Sequence, residues 1–186
     1  MSIIVDSTTG VFKMNWVECS EERHAEAILA IFNEAILTST ALYDYQPRPL
    51  TAMRTWFAVK RDNGFPVIGL EDEHGTLLGF ASYGTFRPFP ANKYTVEHSL
   101  YVHPDHRGRG LGRLLLERLI AEAQARQVHT MVGGIDSTNR GSIVLHERLG
   151  FSHCGTVKQA GYKFDRWLDL AFYQLLLPTP DAPQAG

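Results

Sequence analysis

Apolar and polar positions along the chain switch repeatedly between a period of two and a period near 3.6, which predicts strands alternating with helices. Met14 to Cys19 reads as a first strand. Ser20 stands at a helix N-cap, with Arg23 rather than Glu three positions on, so the capping box is incomplete. Ile28, Leu29, Ile31, Phe32, Ala35 and Ile36 form that helix's apolar stripe. Small polar residues and two prolines make Thr38 to Pro49 a loop. Leu50 to Arg61 is a second helix, stopped at Asn63-Gly64. Pro66 to Leu70 and Leu77 to Phe86 are strands around a turn at Asp72 to Gly75. Thr95 to Val102 is a strand, Leu111 to Gln127 a helix, His129 to Ile135 a strand and Ser142 to Leu149 a helix. Phe151 to Val157 is a further strand, and Lys163 to Leu177 a last strand with a bend. The pattern sets residues 14–177 as one domain, with 1–13 as an N-terminal extension and the Pro/Ala/Gln-rich residues 178–186 as a flexible tail. Strands alternating with helices predict an α/β fold, a mixed sheet covered on both faces.

The stretch from Glu97 to Arg113, EHSLYVHPDHRGRGLGR, carries the densest information. Pro104 ends a β-rich run, because proline has no N–H for a ladder. Gly108, Gly110 and Gly112 then alternate with Arg107, Arg109, Leu111 and Arg113. Glycine lets backbone approach a bulky ligand, and the first N–H groups of the following helix form an anion site. A phosphate or pyrophosphate is the simplest ligand. The loop lacks the Gly-Lys-Ser/Thr ending of a Walker motif. Its G-x-G-x-G spacing also departs from the dinucleotide fingerprint, although Asp136 stands about where a ribose-binding acid belongs.

The formal net charge is −2 and the pI about 6.4, so no global basic field favours nucleic acid. The basic cluster is confined to Arg107, Arg109 and Arg113, which suits a small anion. Two cysteines, Cys19 and Cys154, stand far apart and in no CxxC, as expected in a reducing cytoplasm. No apolar run approaches membrane-spanning length, so no membrane partner is expected.

Arg107, Gly110 and Gly112 match the Arg/Gln-x-x-Gly-x-Gly/Ala pattern of the GCN5-related N-acetyltransferases. Asn139 to Phe151, ending in Leu-Gly-Phe, resembles that family's second motif, in the right order and spacing. Ser82-Tyr83-Gly84, Arg87-Pro88-Phe89, Thr95 to Ser99 and Lys163 to Asp169 resemble its phosphinothricin or methionine sulfoximine N-acetyltransferase branch. The resemblance covers roughly Asn15 to Leu177. It implies a mixed, mostly antiparallel sheet whose central strand pair splays, with acetyl-CoA as cosubstrate. It places pantetheine along Leu100, Tyr101 and Val102, and pyrophosphate on the loop from Arg107 through Gly108, Arg109, Gly110, Leu111 and Gly112 to Arg113. Asn139 would bind pantetheine, cap its helix, or do both.

Acetyl transfer to an amine needs a base, a stabilised thioester oxygen and a proton for the departing thiolate. Glu97 is the candidate base, because a carboxylate inside an apolar strand is costly, and burial would raise its pKa. A paired structural carboxylate is the alternative. His98 faces the other side of the strand, and shares a site with Glu97 only if the strand bulges or the ligand wraps its end. A backbone N–H near Leu100 is the expected oxyanion donor. His146 occupies a position where relatives carry a tyrosine, and is the candidate thiolate acid, with water as the alternative. Arg87, with Pro88 and Phe89, would hold the acid group of a small amino-acid-like amine beside Glu97, His98 and Ser99. Tyr43, Phe86 and Phe89 are candidate pocket walls. His98, His103, Asp105 and His106 lie close in sequence, but their spacing makes a poor zinc pattern, and no metal is expected. Trp167 among charged residues in Lys163 to Asp169 points to a homodimer in which this segment shapes the active site. A non-catalytic acyl-CoA sensor and a nicotinamide oxidoreductase are the competing functions. Glu97 with Arg87 argues against the first, and the glycine spacing against the second.

Overall fold

The alternating strands and amphipathic helices build an eight-stranded sheet with helices on both faces, in a computed structural model that describes residues 2–7 and 10–185. The strands are β1 (Ser2–Ser7), β2 (Gly10–Glu18), β3 (Val67–Glu71), β4 (Leu77–Thr85), β5 (Thr95–Val102), β6 (Thr130–Asp136), β7 (Ser152–Lys163) and β8 (Arg166–Leu176). The helices are α1 (Glu21–Thr38), α2 (Thr51–Asp62), α3 (Leu111–Ala125) and α4 (Arg140–Arg148). The strand order is β1-β2-β3-β4-β5-β6-β8-β7, and only β5 and β6 run parallel. Parallel neighbours need a crossover, and the glycine loop with α3 supplies it.

Each face has its own core. Leu111, Leu115, Leu116, Leu119 and Ala123 of α3 join Ile143 of α4 over Leu70, Ala81, Val96 and Met131. On the opposite face Ile28, Ile31 and Phe32 of α1 and Met53 and Phe57 of α2 cover Val67, Leu77 and Phe80. Phe32 meets the edges of Trp56, Phe80 and Tyr101 with ring centroids 5.5, 5.1 and 5.1 Å away.

The central pair splays. β5 and β6 pair only from Thr95↔Thr130 to Glu97↔Val132, whereas β5 stays paired with β4 as far as Val102↔Gly79. Just beyond β5, His103 N–H donates to Leu78 O. Antiparallel alternation then gives the odd-numbered residues of β5 to β4 and turns the main-chain groups of Leu100 and Val102 toward the gap.

Three expectations change. β2 begins at Gly10, so the sheet crosses the predicted boundary between residues 13 and 14, and β1 adds an edge strand. Met1, Thr8 and Thr9 of that extension, like Gly186, lie outside the described residues. The segment Lys163 to Leu177 is not one bent strand. Phe164 and Asp165 form the two-residue turn of the β7–β8 hairpin, at φ 51° and 55°, with Lys163 paired to Arg166. A turn with two positive-φ residues favours Asn-Gly, and Phe-Asp gave no such signal. The C-terminal tail is tied to the body: Thr179 Oγ1 donates to Val128 O at 2.6 Å and Gln184 N–H to Tyr94 Oη at 3.0 Å.

Candidate active site

The splay opens a cleft of about 730 Å³, lined by β5 from Glu97 to Val102, by His106 to Gly108 and Gly110 to Gly112 of the following loop, and by Gly133 to Asp136 of β6. Asn139, Ser142 and His146 of α4, and Thr40 to Tyr43 after α1, complete the wall. Leu100 has main-chain groups facing this gap with no strand beside them, which suits an extended amide-bearing chain. Gly108 and Gly110 sit at φ 76° and 79°, where a side chain is strained, and Gly110 is the N-cap of α3. The first amides of α3 have no partner within the helix, and Gly110, Leu111 and Gly112 line the cleft, so the residues present fit a pyrophosphate. Asn139 caps α4 by accepting from Ser142 N–H at 3.1 Å.

The loop arginines are not three equivalent anion ligands. Arg107 donates from Nε to Val102 O at 3.2 Å and from both terminal nitrogens to the Glu34 carboxylate, Nη1 to Oε1 at 3.1 Å. Arg113 pairs with Glu117 one turn along α3 at 2.8 Å, and Arg109 Nη1 lies 3.5 Å from His106 Nδ1. Neither Arg109 nor Arg113 lines the cleft.

Glu97 and His98 do face opposite sides of the sheet, yet both line the cleft. The route is the glycine pair of β6. A Cβ at Gly133 would stand 2.8 Å from His98 Nε2 and 3.1 Å from His146 Nε2; one at Gly134 would stand 3.2 Å from Glu97 Oε1. The missing side chains make room for the imidazoles on one face and the carboxylate on the other. Glu97 is not buried as expected, but opens to the cleft. The surrounding walls still strip enough solvent to hold its carboxyl above the ordinary carboxylate value.

His98 and His146 are both buried, with Nε2 atoms 3.0 Å apart and ring planes 22° from parallel. His146 Nδ1 is 2.7 Å from Ser142 O, an acceptor only, so that nitrogen carries the proton. A neutral His146 then presents a bare Nε2, which accepts from His98 Nε2–H. His98 Nδ1 is left as a buried acceptor without a partner among the described residues. Burial first, then the neighbouring imidazole, pushes His98 far below its ordinary pKa; burial also lowers His146, against the raising effect of the Ser142 carbonyl. Burial thus favours the neutral form of both rings.

Asp136 lines the cleft at the end of β6. Its carboxylate accepts from Thr138 N–H (2.9 Å) and Oγ1 (2.8 Å), Thr40 Oγ1 (2.7 Å) and Arg166 (2.8 Å). These contacts outweigh burial and bring its pKa down to about 2. They also commit the oxygens a ribose would need, which removes the dinucleotide role considered for this residue. Lys163 Nζ bonds Ser39 O and Leu42 O at 2.9 and 2.6 Å. The Tyr43 ring packs so closely over Gly161 that a Cβ there would stand 2.7 Å from it. The hairpin thus fixes Thr40 to Tyr43 in place. Sequence reading missed Thr40 and the two glycines as wall residues, and considered Asp136 only as a ribose-binding acid. The one local signal was two adjacent glycines inside a strand.

Arg87, Pro88 and Phe89 lie on the loop after β4 and do not line the cleft; Arg87 stacks 5.4 Å from the Phe89 ring centre. Phe86 lines a separate groove with Val132 and Phe172. His103 and His106 have ring centroids 5.4 Å apart in the loop after β5, away from the buried His98. Among the described residues no group of three His, Cys, Asp or Glu is placed to hold a metal ion.

Residues 26–151 match the model of the Acetyltransferase (GNAT) family. The chain is similar to the L-methionine sulfoximine/L-methionine sulfone acetyltransferase of Pseudomonas aeruginosa, 48% identical over 84% of this chain and 91% of that one. It is 45% identical to an L-amino acid N-acyltransferase of Escherichia coli over 86% and 92% of the two chains. A phosphinothricin acetyltransferase of Sinorhizobium meliloti, solved in complex with acetyl-CoA, superposes with a TM-score of 0.86 at 32% identity, covering 91% of this chain and 92% of that one.

Proposed function

The chain belongs to the GNAT acetyltransferase family, and from that premise we propose that it moves acetyl from acetyl-CoA to the amine of a small amino-acid-like substrate of the phosphinothricin, methionine sulfoximine or methionine sulfone type. The observation that carries this reading is the unpaired edge of β5, which joins the glycine loop at one end to Glu97 at the other within one cleft.

Acetyl-CoA supplies the activated acetyl group. In this proposal the amides from Gly108 to Gly112 hold the pyrophosphate, and the edge from Leu100 to Val102 aligns pantetheine. Glu97 takes a proton from the incoming ammonium, directly or through one water, which frees the amine for attack on the thioester carbonyl. Its raised pKa brings it nearer the working pH of a base. The Leu100 N–H faces the gap and donates to the carbonyl oxygen as charge develops. His146 was the expected thiolate acid, but its proton is turned to Ser142 O. We assign His146 and His98 to the cleft wall and the thiolate's proton to water. Every task falls to protein groups or water, so the reading calls on no metal.

Recognition of the substrate's acid group requires a cation. At the acceptor end Glu97 and Asp136 are both carboxylates, and Arg166 is paired to Asp136. Arg87 lies outside the cleft of its own chain. Tyr162, Phe164 and Trp167 expose large apolar surfaces on the hairpin beside the cleft. These features support a homodimer in which the Arg87 loop and the Lys163–Asp169 hairpin complete the acceptor site, and the free thiols of Cys19 and Cys154 support a cytoplasmic location. Light scattering should give twice 20.9 kDa, and Trp167→Ala should weaken both dimer and activity. A fully active monomer would remove this part of the reading.

The deciding experiment is acetyl-CoA turnover on a panel of amines. Methionine sulfone, methionine sulfoximine and phosphinothricin should be acetylated, and their esters poorly. CoA should raise the melting temperature and NAD should not. CoA binding without turnover on any amine would favour a sensor domain.

A further inference from the structure

The family motif opens with Arg107, yet this guanidinium is already satisfied by the protein. Each of its three nitrogens donates inward: Nε to Val102 O, and Nη1 and Nη2 to the two oxygens of Glu34. Val102 O is the last carbonyl that the splayed strand turns toward the gap. Glu34 lies on α1, 73 residues away in sequence. Thr38 Oγ1 lies 2.9 Å from both Glu34 Oε1 and Glu34 O, and its single proton is shared between them. Partial burial disfavours the charged carboxylate, but the bonds from Arg107 and Thr38 hold Glu34 below its ordinary pKa. One residue past Thr38, Ser39 O accepts from Lys163, and the next, Thr40, bonds Asp136.

A continuous set of bonds therefore runs from the donor end of the cleft to its acceptor wall. It passes from Val102 O through Arg107, Glu34 and Thr38 to Ser39 and Thr40. We propose that Arg107 acts through Glu34, as a strap that fixes the glycine loop to α1, and that Glu34 is a positioning residue for acetyl-CoA. This rests on the acetyl-CoA reading above. The loop amides hold the pyrophosphate, and the Arg107 side chain holds the loop. A planar guanidinium forked on a carboxylate is the geometry that fixes orientation as well as distance.

The competing possibility is that Arg107 leaves Glu34 to meet the phosphates. The two make opposite predictions for Glu34. If Arg107 were a phosphate ligand, Glu34 would compete for it, and removing the carboxylate would leave CoA binding unchanged or tighter. A strap predicts that it weakens. The test is a double-mutant cycle on the full chain: Glu34→Ala, Arg107→Ala and the pair, with CoA affinity measured by calorimetry and KM and kcat for both substrates measured in parallel. Each single variant should weaken CoA about fivefold, and the double variant should be no weaker than Arg107→Ala alone. KM for acetyl-CoA should rise with kcat for a saturating amine retained. Glu34→Gln, which preserves shape and helix propensity, guards against a folding defect and should show the same KM rise with a near-native melting temperature.

Unchanged or tighter CoA binding in the folded Glu34 variants, or additive losses across the cycle, would overturn the strap. Failure of the acetyl-CoA reading would appear separately, as a wild-type protein that gives no heat with CoA.

Discussion

Replacing Asp136 by Asn tests whether the acceptor wall is held by charge. The carboxylate of Asp136, a residue 5% exposed, receives two bonds from Thr138, one from Thr40 and one from Arg166. Burial alone would raise its pKa, but these partners bring it from 3.8 to about 2. That difference is about 1.8 decades of proton affinity, or about 2.5 kcal/mol at roughly 1.4 kcal/mol per decade. The sign follows from a depressed folded-state value. The contribution is complete above the unfolded value of 3.8 and disappears as pH falls through about 2. Urea unfolding at pH 7 should therefore show Asp136→Asn less stable by about 2 kcal/mol, with a melting temperature about 4–8 °C lower. At pH 3 the gap should shrink to about half. Because Thr40 loses its anchor, KM for the amine should rise more than KM for acetyl-CoA. A pH 7 difference below about 0.5 kcal/mol, or one that stays constant into acid, would show that neutral hydrogen bonding holds the wall.

Glu97→Gln should lower turnover about a hundredfold or more, leave CoA affinity unchanged, and abolish an acidic limb that lies above the ordinary carboxylate value of 4.5. Since ionising Glu97 costs stability once pH exceeds its raised value, the variant should melt no lower than wild type at pH 7, and wild-type rates across the limb would make Glu97 structural. Gly112→Ala places a Cβ 3.6 Å from Leu100 and Leu145, an ordinary contact, so the fold should persist while KM for acetyl-CoA rises about tenfold; unchanged KM would move the ligand away from this wall. Gly110→Val is the poorer probe, because φ 79° strains any side chain there whether or not a ligand binds. Arg87→Ala should raise KM for an amino-acid-like amine by one to two decades, the equivalent of about 1.5–3 kcal/mol, and leave acetyl-CoA alone. Equal KM for acids and their esters in wild type would remove that role.

That the glycine loop lines a cleft was legible because its signals are local. Pro104, the alternating glycines and the helix from Leu111 are contiguous in sequence, and Asn139 announces α4 in the same way. Glu97 was legible as a carboxylate out of place in a strand. The acceptor wall was not, because its bonds join distant segments: Thr40 to Asp136, Lys163 to Leu42, Arg166 to Asp136. No periodicity reports a contact across 96 or 121 residues. His98 and His146 were each visible, but only the fold sets them 3.0 Å apart and fixes which nitrogen holds the proton. The Phe164-Asp165 turn was missed because tertiary pairing of β7 with β8 overrides weak turn chemistry. Arg87 was read as a pocket residue from its motif, whereas its chain position past the end of β4 leaves it outside the cleft.

A sheet is ordinarily a partition, and molecules on its two sides never meet. Here β5 and β6 part beyond Glu97, and Gly133 and Gly134 leave room for imidazoles on one face and a carboxylate on the other. Under the proposed acetyl transfer, a carrier and an amine seated from opposite sides of that gap need not displace each other, so the reading predicts that the acetyl group passes between them directly, with no stage on a side chain of the protein.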